Sequence, residues 1–497
     1  MSLVEAREPF ALDVLDTGLP EAAYERVAPT PVQAPELLRL NRPLAAELGL
    51  DAGALASPAG VEVLAGSRVP EGVSPLAMAY AGHQFGNWVP SLGDGRAVLL
   101  GEVVDRAGVR RDLQLKGAGR TPFSRMGDGR AALGPVLREY VVSEGMAGLG
   151  IPTTRALAMV TTGERVFRQR AEPGAVLTRV SASHVRVGTF EYFARRGDRE
   201  TVRALADYVI QRHYPHLAEA GAPYQALFEA IAERTGELIA QWMLVGFIHG
   251  VMNTDNIAIS GETIDYGPCA FMDGYHPDTV YSSIDLGGRY AYNQQPPIGQ
   301  WNLARLAECL LPLFSEDEEQ AMDIAYAGLD AYARRFDEVY QQGLIAKIGL
   351  SERREGDVDL ASDLLGCMAE QRADFTLTFR RLADVAGGHA EADEPVRALF
   401  GDATAFDGWV ARWRERLAAE TRDDGARRAA MRAVNPAYIP RNHRVQQVID
   451  AAEAGDMAPL DELLTVVARP YDDHEALADY ARPPAPDEVV RQTFCGT

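Results

Sequence analysis

Two short stretches of this chain concentrate residues able to bind and move a phosphate group. The first is His249-Gly250-Val251-Met252-Asn253-Thr254-Asp255-Asn256, and Ile264-Asp265-Tyr266-Gly267 follows it closely. An asparagine carbonyl and an aspartate carboxylate are hard oxygen ligands of the kind a phosphate-bound Mg²⁺ takes, so Asn256 and Asp265 are candidate metal ligands. Asp255, beside Asn256, is a candidate general base, because a base must reach the proton of the attacking group. Lys116 is the third feature. Of the 49 basic residues only Lys116 and Lys347 are lysine. A lysine retained in so arginine-biased a chain suits a task for a compact point charge, such as seating on a phosphate.

The spacing adds to this. Asn256 lies as far after His249 as the asparagine of H-R-D-L-x-x-x-N lies after its histidine in kinase catalytic loops, and Asp265-Tyr266-Gly267 stands where D-F-G would. The position of the kinase catalytic aspartate holds Val251. That replacement argues against ordinary phosphotransfer, not against nucleotide binding. Lys116 ends the alternating stretch Leu113-Gln114-Leu115-Lys116, which reads as a strand. A strand lysine paired to a helix glutamate is fixed against phosphates; Glu139 and Glu144, on one following helix, are the two candidates. Leu92-Gly93-Asp94-Gly95-Arg96 offers two glycines for close backbone approach and an arginine for phosphate oxygens. The basic loop Arg120 to Arg130, with Arg125, Asp128 and Gly129 inside it, suits an anionic ligand or a solvated surface.

The elements that must position these residues are legible in outline. Ala97–Val104 and residues 110–116 read as a hairpin around the turn Asp105-Arg106-Ala107-Gly108. Pro135–Leu149 carries helical periodicity, and strands are expected at Val160–Thr162 and Ala175–Val180. Pro35–Asn41, continuing to Leu48, reads as helical. From Glu200 onward helices are expected over 200–220, 224–245, 301–313, 317–343, 358–384, 405–420 and 443–454, with a loop-rich stretch at 246–299. A β-rich part, a helix, more strands and then a large helical part predict an α+β, bilobal, protein-kinase-like fold with a β-rich N-lobe and a large helical C-lobe. The expected division is 1–74, an N-terminal extension; 75–190, the N-lobe; 191–430, the C-lobe; and 431–497, a C-terminal helical extension and tail.

A net charge of -22 argues against a nucleic-acid partner, which needs a basic face. The N-terminus lacks a signal-peptide pattern and no apolar run is long enough to span a membrane, so a cytoplasmic protein without a membrane partner is expected. Cys269, Cys309, Cys367 and Cys495 form no zinc-site spacing and are too sparse for a disulfide framework. Cys309 and Cys367 fall in helical stretches and read as core.

Several longer strings resemble the selenoprotein O family of kinase-fold protein adenylyltransferases, formerly regarded as pseudokinases. They are Tyr80-Ala81-Gly82-His83-Gln84-Phe85-Gly86, Leu92 to Arg96, Leu113 to Pro122, His249 to Asn256, Asp265-Tyr266-Gly267-Pro268-Cys269, Trp301-Asn302-Leu303-Ala304-Arg305, and Asn435-Pro436 through Ile439-Pro440-Arg441-Asn442-His443. The resemblance runs from about residue 30 to the C-terminus. It implies ATP bound in a flipped orientation and AMP transferred to Ser, Thr or Tyr hydroxyls of proteins, with UMP transfer to Tyr or His as a variant activity. It implies that Gly93, Gly95, Arg96 and Lys116 hold the nucleotide, that Asp128, Gly129, Arg179, Arg186 and Asp265 complete that site, and that Glu139 pairs with Lys116. Asn256 and Asp265 would bind Mg²⁺ or Mn²⁺, and Asp255 would be the base. Cys269 and Cys495 match a redox-active pair. Expected partners are protein substrates, redox-related ones included, and the chain is expected to be a monomer. The rival functions are a γ-phosphate kinase and a catalytically inert nucleotide-binding scaffold.

Overall fold

The computed structural model describes residues 18–168, 170–386 and 393–494. Its main sheet is antiparallel and is built from β1 (Tyr24–Arg26), β2 (Glu36–Leu40), β3 (Leu76–Met78), β6 (Ala97–Val104), β7 (Arg110–Lys116), β8 (Ala131–Ala132), β9 (Arg155–Phe167) and β10 (Ala171–Ser181). A separate hairpin, β4 (Gly82–Gln84) and β5 (Asn87–Val89), lies between β3 and β6 in the chain. The strand order is β1-β3-β6-β7-β10-β9-β2, with β8 paired to β10. The expected hairpin forms, and Ala97 sits opposite Lys116. Leu177 is the partner of Lys116 on the other side. Lys116 is therefore on a strand flanked by two others, which fixes its backbone.

Residues 35–41 are not helical. Glu36–Leu40 pairs with β9 and closes one edge of the sheet. Leu37 and Leu38 pack into different hydrophobic clusters, one on each side, as successive strand residues must. The helical reading took a run of leucines for helical periodicity, when both faces of an edge strand were being covered. Helix begins only at α1 (Arg42–Glu47), where Asn41 caps the Leu44 N–H, and continues in α2 (Ala52–Leu55) and α3 (Pro58–Leu64).

α4 (Leu133–Gly148) crosses the sheet and is buried along most of its length. The helices that follow are α5 (Val187–Ala194), α6 (Arg199–His213), α7 (Pro223–Leu244), α8 (Gln295–Phe314) and α9 (Glu318–Lys347). Then come α10 (Asp357–Gln371), α11 (Phe375–Val385), α12 (Glu394–Arg397), α13 (Thr404–Leu417), α14 (Asp424–Val434), α15 (Asn442–Glu453) and α16 (Ala458–Val467). The helix expected over 358–384 is two helices. Arg372 has φ +50 and ends α10, and Asp374 caps α11 by accepting from the Leu377 N–H at 2.8 Å. α7, α8 and α9 pack on one another around one apolar core, and Trp409 and Trp413 anchor a second.

The C-terminal helices do not stand apart. α15 and α16 share a core with α4. A Cβ on Gly145 would lie 2.5 Å from Pro440, and one on Gly148 would lie 2.0 Å from the Val467 carbonyl oxygen. α4 thus carries glycine where residues 440–467 press against it.

Candidate functional site

Four elements converge on one buried cluster of charge. β7 brings Lys116, α4 brings Glu139, β10 brings Arg179, and the loop before α5 brings Arg186. Lys116 Nζ donates to Glu139 Oε2 at 2.5 Å and to Asp265 Oδ1 at 3.3 Å. Arg179 forks onto Glu139 Oε1 through Nε at 2.9 Å and Nη2 at 2.5 Å, and its Nη2 also reaches Asp265 Oδ1 at 2.7 Å. Arg186 donates to Asp265 Oδ2, and at 2.7 Å to the backbone carbonyl of Asp255. Of the two glutamates on α4, Glu139 is the partner of Lys116. Glu144 accepts from Arg155 and Asn41.

The cluster is strongly coupled. Burial pulls the Lys116 ammonium below its ordinary value, with Glu139 opposing and Arg179 adding to the effect. Burial would raise Asp265, yet Arg186, Arg179 and Lys116 together hold its carboxyl well below the usual range. Arg179 and Lys116 likewise keep Glu139 ionised against its burial. Asp265 has φ +61, a left-handed conformation uncommon outside glycine, and the three cations pin the side chain that this backbone presents.

Asp255 and Asn256 lie in a 3₁₀ turn, Thr254–Asn256. Burial pushes the Asp255 carboxyl up to about 7, with Arg186 opposing. Among the described residues its buried Oδ1 has no hydrogen-bond partner. A Cβ on Gly82 would lie 2.6 Å from that oxygen, so only glycine fits there. Asn256 donates its Nδ2 to the Val251 carbonyl at 2.9 Å, which leaves its amide oxygen for another partner. His249 is wholly buried and bonds to Ile264 O at 2.9 Å, tying the two motif stretches together.

A metal fits this donor set in part. The amide oxygen of Asn256 and the carboxylate of Asp265 are hard ligands, and among the described residues no group of three or more His, Cys, Asp or Glu forms a cage. An ion held here would complete its shell with phosphate oxygens and water.

Other expected residues are placed differently. Gly93, Gly95 and Arg96 form a tight turn that receives the Gly117 N–H on the Arg96 carbonyl at 2.7 Å, and the charge of Arg96 is felt at Lys116. Phe123 of the basic loop lies against Gly93, where a Cβ would meet it at 2.3 Å. Asp128 pairs with Arg168 at 2.9 Å and caps the Arg130 N–H; Gly129 accepts from the Gly119 N–H. Arg130 turns to the carbonyls of Thr30 and Pro31. Cys269 is buried and Cys495 lies outside the described residues; Cys309 is buried and Cys367 half-buried. The tail comes close to Cys269, since Thr493 Oγ1 donates to Pro268 O at 2.5 Å.

Residue-by-residue reading of the motifs missed Tyr80, Asp94 and Gln114. The Arg186 guanidinium lies over the Tyr80 ring at 4.6 Å. Gln114 accepts from Arg179 and donates to Asp94, which in turn accepts the Met78 N–H. The signal for Gln114 was present: it is two residues from Lys116 on one strand, hence on the same face.

A strand lysine, a helix glutamate and carboxylate and amide oxygens on adjoining loops make a site with the donors of a nucleotide-handling enzyme. The chain belongs to the family described as protein adenylyltransferase SelO, whose profile matches residues 16–468. It is 63% identical over 489 residues to protein nucleotidyltransferase YdiU of Rhodopseudomonas palustris strain BisB5, covering 98% of this chain and 99% of that protein. It is 65% identical over 481 residues to the protein of the same name from Bradyrhizobium sp. strain BTAi1, covering 97% and 98%.

Proposed function

We propose that this chain, a nucleotidyltransferase by its family, transfers AMP from ATP to Ser, Thr or Tyr hydroxyls of proteins. The observation that carries the reading is the convergence of Lys116, Arg179 and Arg186 on Glu139 and Asp265. Three cations gathered at one point are the groups that a triphosphate whose γ end points inward would meet. The main sheet with α4 and the helical remainder read as the two lobes of a kinase-like fold with this cluster at their junction.

In this reading the acceptor hydroxyl oxygen attacks the α-phosphorus and forms the new O–P bond. The bond to the bridging oxygen breaks, and pyrophosphate leaves with its pair of electrons toward Lys116, Arg179 and Arg186, which stabilise the charge where it develops. Asp255 takes the hydroxyl proton. Asn256 and Asp265 would hold Mg²⁺ or Mn²⁺, which when bound neutralises phosphate charge. Val251, in place of the kinase base, fits a reaction whose acceptor meets the other end of the triphosphate. UMP transfer would use the same cluster, since its contacts fall on phosphates. Cys269 and Cys495 are assigned a redox link between tail and metal loop; the Thr493–Pro268 contact supports it.

The test is incubation of the chain, Mg²⁺ or Mn²⁺ and a protein acceptor with ATP labelled at the α or the γ phosphorus. Label entering protein from the α position alone upholds AMP transfer. Label from the γ position makes the chain a kinase, and label from neither makes it a scaffold.

A further inference from the structure

The hairpin β4–β5 leans on the turn that carries Asp255. His83 N–H donates to Thr254 Oγ1 at 2.7 Å, and Phe85 N–H donates to Asn253 Oδ1 at 3.0 Å. Tyr290 OH donates to the same Asn253 oxygen at 2.6 Å. On this hairpin His83 sits opposite Trp88, with ring centroids 5.1 Å apart, and meets Trp301 of α8 edge-on at 5.4 Å. Both indoles are half-buried and topped by guanidinium groups. Arg195 lies over Trp88 at 5.5 Å; Arg289 and Arg305 lie over Trp301 at 4.8 and 5.0 Å. One exposed acid, Glu308, faces them, 2.7 Å from Arg305 and 3.8 Å from Arg195. The neighbouring Glu191 is buried and bonded to His83 at 2.6 Å, so it offers little charge to the surface.

This local excess of arginine stands in a chain with 71 acidic and 49 basic residues. Arginine stacked on tryptophan is the composition of protein-binding hot spots, and charge of opposite sign on the partner sets orientation and encounter rate. The nucleotide cluster does not use these residues. They border the base from the side of the hairpin, next to the turn where an acceptor hydroxyl would have to arrive.

We propose that this face docks the acceptor polypeptide, and that it selects acceptors whose modified hydroxyl is flanked by Asp and Glu. The proposal rests on the transfer reading above. Arg195, Arg289 and Arg305 receive the flanking carboxylates, and Trp88 and Trp301 receive the apolar part of the segment.

The experiment uses the full chain with three fluorescent peptides of equal length, each with one tyrosine, flanked by Glu/Asp, by Ser/Gly, or by Lys/Arg. Anisotropy gives binding, and transfer from α-labelled ATP gives KM and kcat. The acidic peptide should bind tightest. In Arg289→Ala/Arg305→Gln, and separately in Arg195→Glu, its Kd and KM should rise about tenfold while kcat is retained. MgATP affinity by calorimetry should stay within about twofold, which shows that the variants are folded. Equal binding of the three peptides, or unchanged binding by the variants, overturns the proposal, as does tighter binding of an oligonucleotide of matched charge. If the acidic peptide binds in an arginine-dependent way but takes no α label, the docking face stands and the transfer reading falls. If α label enters all three peptides alike in every variant, transfer stands and the docking face falls.

Discussion

Arg186 holds two loops at once: its guanidinium donates to the Asp265 carboxylate and to the backbone carbonyl of Asp255, 2.7 Å away. The candidate base and the candidate metal ligand are therefore positioned by one side chain, itself stacked on Tyr80. Both bonds leave from Nη1; Arg186→Lys keeps the charge but loses the planar guanidinium that holds this nitrogen in place while lying over the Tyr80 ring. It is expected to lower kcat for α-label transfer about 100-fold with a smaller change in ATP affinity, as single-turnover kinetics and calorimetry would read.

Asp265→Asn removes the anion that gathers three cations. The variant should lose about 1000-fold in kcat/KM, and raising Mg²⁺ or Mn²⁺ should not restore it. Near-full activity at saturating metal would remove Asp265 from the metal site.

Gly82→Ala places a methyl group 2.6 Å from Asp255 Oδ1. The carboxylate must move, and a shift near 1 Å at a reacting group costs about 100-fold in rate. Nucleotide binding, which we assign to the Lys116 cluster, should remain. Activity equal to the parent would show that the Asp255 position is not critical.

Much of this was legible in the sequence, and the limits were physical. Lys116, Asn256 and Asp265 were singled out as candidates by residue type and motif spacing, whereas the choice of Glu139 over Glu144 as the partner of Lys116 needed the family resemblance and then the fold. Arg179 and Arg186 came from the family resemblance, since nothing in an arginine on β10 or one before α5 marks it as part of this cluster until β7 and α4 are beside it. Asp128 shows the converse: a charged loop residue reads the same in sequence whatever it faces, and its ion pair with Arg168 had no signal in the spacing. The edge strand at 36–40 was misread because its leucines cover two faces. Lys347 received no role, and the structure gives it an unusual one.

Lys347 is buried among apolar residues, with its ammonium 4.3 Å from the Phe379 ring centroid and 5.4 Å from that of Phe375. Burial drives its value down from 10.5 to about 7. Between those values the unfolded chain binds more protons than the folded one, so this residue makes stability rise with pH from about 7 to about 10.5 and adds no pH dependence well below 7. Lys347→Met should raise unfolding free energy at pH 6, on the order of a few kcal/mol less what the rings return to the cation. The gain should shrink toward pH 10 in urea titrations. A gap that does not change with pH would mean the lysine is not titrating in the fold.

Arg441 is wholly buried and pairs with Asp374 at 2.8 Å and Asp273 at 2.5 Å. It joins the start of α15 to the loop beyond Asp265 and to the cap of α11. Arg441→Met leaves two carboxylates facing each other without a cation and should cost ~3–5 kcal/mol in denaturant unfolding. Adding Asp374→Asn should recover part of that loss.

Residues 440–467 lie hard against α4, so close that Gly145 and Gly148 have no room for a side chain. A helix bolted from behind in this way cannot swing away from the sheet, and Glu139 travels with it. The Lys116–Glu139 pair is then braced from the far side of the helix, so a substitution as remote as Gly148→Ala would be felt at the ion pair.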